Sequence, residues 1–255
     1  MARELGGTGL TVESLFDAPR FSRSLFCQRP DASPTPRGAS DHFIDVDGAR
    51  LHLRAHAGPS SALLLFHGNR EVIADYDDAA QQFADAGLRL LVADFRGYGL
   101  STGTPTLRLA LADAPAVLSA AASIVGAPLL VMGRSLGGNC AAELCQHQRP
   151  EVRGYIFESS PTDLAALASR RGYVGARFSP QDRETFDPLL KLAKCRTPAL
   201  FLHGTEDSLI VPDEARRGHA VVPGSTLVLI DGRRHHDVSL SAQYWVALRA
   251  FAQGA

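Results

Sequence analysis

Six short apolar runs, at 62–66, 90–93, 129–132, 155–157, 199–202 and 226–230, recur along the chain. They are continuous rather than alternating, so each reads as a strand buried on both faces, as a parallel sheet requires. Between them lie longer stretches of helical character at 76–86, 107–122, 136–147 and 240–252, with Pro115 placed to kink or split the second. Strand and helix in alternation specify an α/β domain with a mostly parallel, doubly wound sheet. Ahead of the first run, Phe43-Ile44-Asp45-Val46 and Leu51-His52-Leu53 flank Asp47-Gly48, the pattern of an N-terminal antiparallel hairpin. Residues 27–41, rich in Pro, Ser, Arg and Asp, read as a loop. The expected organisation is therefore an N-terminal extension, 1–41, and one domain, 42–255. One interval breaks the rhythm: about 40 residues separate the fourth and fifth runs, against the usual 2–6 in α/β units. A short lid over 160–196 is expected there.

Composition narrows the partners. Lys+Arg total 26 against Asp+Glu 27, and no basic patch exceeds pairs such as Arg216-Arg217, so nucleic acid and anionic membranes are not expected. The four cysteines, Cys27, Cys140, Cys145 and Cys195, have no metal-ligand spacing and read as free thiols of a reducing compartment. No metal or organic cofactor is expected. Residues 1–25 lack the apolar run of about 7–15 residues that a signal peptide needs. No uncharged run approaches the ~20 residues of a membrane span, and the expected location is the cytosol.

Chemistry concentrates after the strands. Gly133-Arg134-Ser135-Leu136-Gly137 lies between a strand and a helix, the context of a nucleophile elbow. There the serine Oγ projects above the carboxyl ends of the strands, and the helix start offers free N–H groups to a developing oxyanion. His67-Gly68-Asn69 closes the first parallel strand. Acyl transfer needs one donor from the residue after the nucleophile and one from such an earlier loop, roles that fit the Leu136 and Asn69 amides. His67, at a strand end before glycine, reads as a brace for the loop rather than a base.

The acid and the base follow in chain order. His203-Gly204-Thr205-Glu206-Asp207 ends the fifth run, with Asp207 and Glu206 competing as the carboxylate that orients an imidazole. Glu158 is a weaker substitute. After the sixth run, Asp231-Gly232-Arg233-Arg234-His235-His236-Asp237 supplies two adjacent histidines, of which only one can face Ser135.

Together these motifs resemble the α/β-hydrolase superfamily. They look most like its compact, small-lid branch of serine hydrolases, which includes depalmitoylase-like enzymes and bacterial esterase-like proteins. The resemblance rests on His67-Gly68-Asn69, Phe95-Arg96-Gly97-Tyr98-Gly99-Leu100-Ser101-Thr102-Gly103, the stretch 133–138, the stretch 203–212 and the stretch 232–237, in consistent order over about 43–245. It implies the triad Ser135, Asp207 and His235, with Glu206 at the variable position and His236 where another polar residue usually sits. Arg234 departs from the pattern, standing where a small residue is usual, and a cation there bears on the orientation of the base or on an anionic substrate group. Arg96 and the glycines of 95–103 read as shaping the loop beside the site.

The function implied is hydrolysis of an ester-type bond in a small-molecule or acylated substrate, without a cofactor. Thioesterase-like and peptidase activities are alternatives on the same triad, and a non-catalytic binding or scaffold protein is the alternative of another class. Arg170, Arg171 and Arg177, in the lid interval, read as solvated, with an anionic substrate as the competing explanation.

Overall fold

The computed structural model describes residues 14–255, so the first 13 residues of the expected extension lie outside the described residues. Helix α1 (Pro19–Leu25) precedes strands β1 (Ser40–Val46) and β2 (Ala49–Ala55), joined by Asp47-Gly48. Then come β3 (Ala62–Phe66), α2 (Ala80–Asp85), β4 (Arg89–Ala93), α3 (Leu107–Val125), β5 (Leu129–Arg134), α4 (Gly138–Cys145) and β6 (Val152–Glu158). The chain continues through α5 (Leu164–Ser169), α6 (Pro180–Phe186), α7 (Pro188–Leu192), β7 (Ala199–Gly204), α8 (Pro212–Val221), β8 (Thr226–Ile230) and α9 (Ala242–Gly254).

The eight strands form one sheet in the order β1-β2-β4-β3-β5-β6-β7-β8. The β1/β2 and β2/β4 pairs are antiparallel and all others parallel. Alternate residues of the central strands feed two separate cores. Leu64, Phe66, Leu129, Val131 and Phe201 enter the one built with α3, α4 and the helices after β6. Leu63, Leu65, Leu130, Met132, Leu200 and Leu202 enter the other, closed by Phe83 of α2 and by Tyr244 and Leu248 of α9. Two apolar faces per strand account for the continuous runs in the sequence.

Helix α3 runs unbroken through Pro115. Thr106 caps its start by accepting the Leu109 N–H at 3.1 Å, and Gly126 ends it at φ +72°. By length and composition α3 could cross a membrane, with a mean hydropathy of 1.4, although it carries the charged residues Arg108 and Asp113. In the fold its apolar stripe of Leu107, Leu111, Ala114, Leu118 and Ala121 packs into the first core. Asp113, on the same helix, takes a bidentate contact from Arg96 at 2.7 and 2.8 Å.

Residues 27–39 form a loop as expected, but the residues before them are packed into the domain. Phe16, Phe21 and Leu25 are fully buried. Phe16 stacks on Phe186 at 4.6 Å and Phe178 at 5.4 Å, while Phe21 meets Tyr173 at 5.5 Å. Residues 14–26 thus brace the 160–196 interval, which folds as α5, α6 and α7. Phe16→Ala is expected to lower stability by about 3–5 kcal/mol, the range for deleting a buried aromatic ring. A urea midpoint unchanged by the substitution would show that this segment does not belong to the cooperative core.

Candidate active site

Strand β5 delivers Ser135 at its carboxyl end. The residue has φ +48°, a left-handed conformation that a non-glycine residue adopts only when its surroundings enforce it. Gly133 and Gly137 allow the turn. A Cβ on Gly133 would strike the Gly137 carbonyl, and one on Gly137 would strike the Phe66 carbonyl at the end of β3. The G-x-S-x-G pattern is therefore a packing requirement of this turn.

The structure brings together residues a hundred positions apart. His235 Nε2 lies 2.9 Å from Ser135 Oγ, and His235 Nδ1 lies 2.7 Å from Asp207 Oδ2. All three side chains are buried. Asp207 Oδ1 accepts the Leu209 and Ile210 amides at 3.0 and 2.9 Å. Burial alone would raise the Asp207 pKa, but contacts from His203, His235 and the Ile210 amide outweigh it and hold the carboxyl well below the usual range. The arrangement can pass a proton from a serine hydroxyl to an imidazole whose orientation is fixed from behind.

The competing residues fall elsewhere. Glu206 is exposed and faces Arg234 at 3.6 Å, so that arginine is engaged at the surface rather than over the base. His236 is exposed and packs edge-on against the His235 ring at 4.8 Å. Burial, then the neighbouring His235 and Arg134, lower its pKa. His67 is fully buried, with Nδ1 2.7 Å from the Gly68 carbonyl and Nε2 3.3 Å from Asp94 Oδ1, and makes no contact with Ser135.

The loop carrying Asn69 is tied through its side chain. Asn69 Oδ1 accepts the Cys27 N–H at 2.9 Å and the Tyr98 hydroxyl at 2.8 Å. No acceptor within the protein takes the Asn69 N–H among the described residues. Leu136 sits in the first turn of the short 3-10 helix Ser135–Gly137, where an N–H has no intrahelical partner. Both amides are thus available to an external oxygen.

Behind the serine is a network that sequence reasoning missed. Arg134, the variable residue of the elbow, is buried between Glu71, with which it pairs closely, and Glu158 at 3.1 Å. Its Nη2 also donates to the His235 carbonyl at 3.3 Å. Glu71 accepts the Gly68 N–H at 2.7 Å and the Tyr76 hydroxyl at 2.6 Å, and Glu158 accepts the Tyr244 hydroxyl at 2.8 Å. One guanidinium therefore links the nucleophile turn, the loop of His67-Gly68-Asn69 and the histidine loop. Burial raises the Glu158 pKa despite Arg134, and Glu158 makes no hydrogen bond to His235, which removes it as the orienting acid.

Ser135 opens onto a cleft of about 420 Å³, solvent-open space included. One wall is apolar, built from Leu25, Leu136, Pro161, Leu167, Leu209 and Ile210. The rest is Asn69, Arg170 and Arg171, so of the three arginines singled out in the lid interval two line the site, while Arg177 is exposed outside it. A larger cleft of about 880 Å³ lies at the opposite end of the strands, beside Ala199, Thr226 and Phe251. It is lined by no titratable side chain and carries no candidate chemistry.

Known proteins agree with this architecture. Residues 57–173 match the family described as serine aminopeptidase, S33, a segment that includes Ser135 and stops before Asp207 and His235. The chain is 27% identical over 212 residues to alpha/beta hydrolase domain-containing protein 17C of Xenopus laevis, covering 79% of this chain but only 64% of that protein. It is 25% identical over 261 residues to the protein YfhR of Salmonella typhi, covering 92% and 88%. An esterase of Pyrococcus furiosus superposes with a TM-score of 0.69 at 18% identity, covering 88% of this chain and 96% of the esterase. A bromoperoxidase of Bacillus anthracis gives 0.66 at 17%, covering 84% and 100%. The chain has the α/β-hydrolase fold, and its sequence is similar to that of α/β-hydrolases.

Proposed function

We propose that this protein is a serine hydrolase that cleaves carboxylic ester-type bonds through an acyl-enzyme on Ser135. The observation that carries the reading is the unbroken contact chain from Ser135 Oγ through His235 to Asp207 at the mouth of a cleft. His235 Nε2 takes the hydroxyl proton as Oγ attacks the carbonyl carbon, and Asp207 stabilises the imidazolium. The Asn69 and Leu136 amides receive the oxyanion. His235 returns the proton to the departing alkoxide, leaving the acyl group on Ser135. Water, deprotonated by the same imidazole, then attacks the acyl-enzyme, and His235 returns that proton to Ser135 Oγ as the acid is freed. Apart from that water, every step uses protein groups.

The matched family's description raises aminopeptidase activity as a second reading. An aminopeptidase must hold a substrate ammonium, which calls for a carboxylate in the cleft. The lining residues include two arginines and no acid, which favours the ester reading.

The wild-type protein is expected to react with a fluorophosphonate probe at Ser135, located by peptide mass spectrometry. It is also expected to hydrolyse p-nitrophenyl butyrate and leave leucine p-nitroanilide intact. A folded protein that neither labels nor turns over any ester, thioester or anilide in such a panel would instead be a binding or scaffold protein on the same fold.

A further inference from the structure

Three arginines of low exposure in this protein are matched with carboxylates. Arg54 contacts Asp41 and Asp77, each at 2.7 Å, Arg96 contacts Asp113 at 2.7 Å, and Arg134 lies between Glu71 and Glu158. In the cleft, Arg170 follows the same pattern. Its Nη1 is 2.5 Å from Glu214, a fully buried carboxylate that also accepts the Thr162 and Asp163 amides at 2.8 and 3.1 Å. Arg170 is thereby neutralised and tied to the body of the domain.

Arg171 is not paired in this way. It lines the same cleft as Ser135, yet among the described residues no carboxylate lies within ion-pair distance of it. Its Nε is buried and has no hydrogen-bond partner among those residues. Like charges surround it. Burial, then Arg170 and Arg70, act to lower its pKa. The neighbouring groups able to bear negative charge are the Cys27 thiol, whose pKa is lowered chiefly by its contact with Arg70, and the Tyr98 hydroxyl, whose pKa burial raises. A guanidinium taken from water without a counter-ion is costly unless a partner arrives with the ligand, and a planar fork of donors fits a carboxylate oxygen pair.

We infer that Arg171 binds an anionic group of the substrate, so that the esters cleaved at Ser135 carry a second, acidic function such as a carboxylate. The apolar wall takes the hydrocarbon joining the two groups, and Arg171 sets which end of the cleft the charge occupies. This rests on the serine-hydrolase reading for the chemistry, but the binding site itself does not need it.

The test compares p-nitrophenyl hemiadipate with its neutral isostere, p-nitrophenyl 6-methylheptanoate, the spontaneous rate of each being subtracted. A parallel pair puts the acid on the leaving group, with 4-carboxyphenyl butyrate against phenyl butyrate. In one pair or the other, kcat/KM for the anionic ester is expected to exceed that for the neutral one by about 10- to 100-fold, the worth of a hydrogen-bonded charge contact. The ratio collapses towards one in Arg171→Gln and persists in Arg177→Gln. Binding is read separately by calorimetry, with monomethyl adipate and monobutyl succinate titrated into Ser135→Ala protein, where Arg171→Gln is expected to abolish the signal. Ester turnover with no anionic preference in either pair, together with no such binding, overturns the inference and leaves the hydrolase reading standing. Binding that depends on Arg171 in a protein that neither labels nor turns over keeps the anion site and rejects the hydrolase reading. A preference that survives Arg171→Gln assigns the anion to another residue and also overturns it.

Discussion

Ser135→Ala is expected to lower kcat/KM for p-nitrophenyl butyrate by roughly 10⁶-fold, or to the spontaneous rate where that is reached first. Such a fall corresponds to about 8 kcal/mol of lost transition-state stabilisation. The magnitude follows from the proposed division of labour. Without Oγ no acyl-enzyme forms, and His235 has no proton to take from a positioned nucleophile. Only binding and the two amides at Asn69 and Leu136 are left, which amount to a small residual acceleration. Fluorophosphonate labelling should vanish with the activity. The fold should survive, because alanine keeps the Cβ and removes one hydroxyl whose recorded partner is His235. A melting temperature close to that of the wild type would separate lost chemistry from lost structure. Substantial turnover by a folded Ser135→Ala protein would place the nucleophile elsewhere and remove the central assignment.

The strands of this fold were legible because burial on two faces leaves a mark that needs no context. The run at 62–66 coincides with β3 and the run at 199–202 falls within β7, both buried throughout. Helices with a mixed surface left weaker marks. Helix α8 reads Pro-Asp-Glu-Ala-Arg-Arg-Gly-His-Ala-Val, and of these only Glu214, Ala215 and Gly218 are buried, so no apolar stripe announces it. The segment 14–26 escaped for a different reason. Its few aromatic residues pack against α6 and the loop before it, contacts that exist only once the chain has folded.

The candidate site divides in the same way. Ser135, flanked by glycines that the turn demands, was visible locally, whereas the choice of Asp207 over Glu206 is one of direction, since adjacent side chains at a strand end point to opposite sides. The Arg134–Glu71–Glu158 network had no signal in sequence at all. Arginine occupies the variable position of the elbow, and its partners come from the loop after β3 and the end of β6. Arg171 was half visible: an anionic substrate was the competing explanation for it, but charge in a loop reads as solvated until a cavity is seen beside it.

Asp207→Asn is expected to cost about 10⁴-fold in kcat, or about 5.5 kcal/mol, although the substitution changes neither size nor shape. The direction of the amide explains why. Asp207 Oδ1 accepts two backbone N–H groups, from Leu209 and Ile210. In the variant those donors hold the amide oxygen at that position, which forces the NH₂ group towards His235 Nδ1. There the wild-type carboxylate accepts a hydrogen bond from Nδ1–H, at 2.7 Å, and so keeps the Nε2 lone pair facing Ser135. An NH₂ group in its place donates instead, selects the opposite tautomer and turns an N–H towards the serine hydroxyl. The imidazole is then in place but unable to act as a base. Stability should change as well, with a pH signature that a purely catalytic effect lacks. The folded pKa of Asp207 is depressed, so its ionised form contributes stability at every pH above the unfolded value of about 4. That contribution is lost as pH falls from there through the folded value. Wild-type protein should therefore be more stable than Asp207→Asn at pH 7, and the gap should narrow in urea titrations run at progressively lower pH below about 4. A variant with wild-type kcat would show that His235 needs no carboxylate behind it, and a gap independent of pH would show that Asp207 is not held ionised by the contacts that surround it.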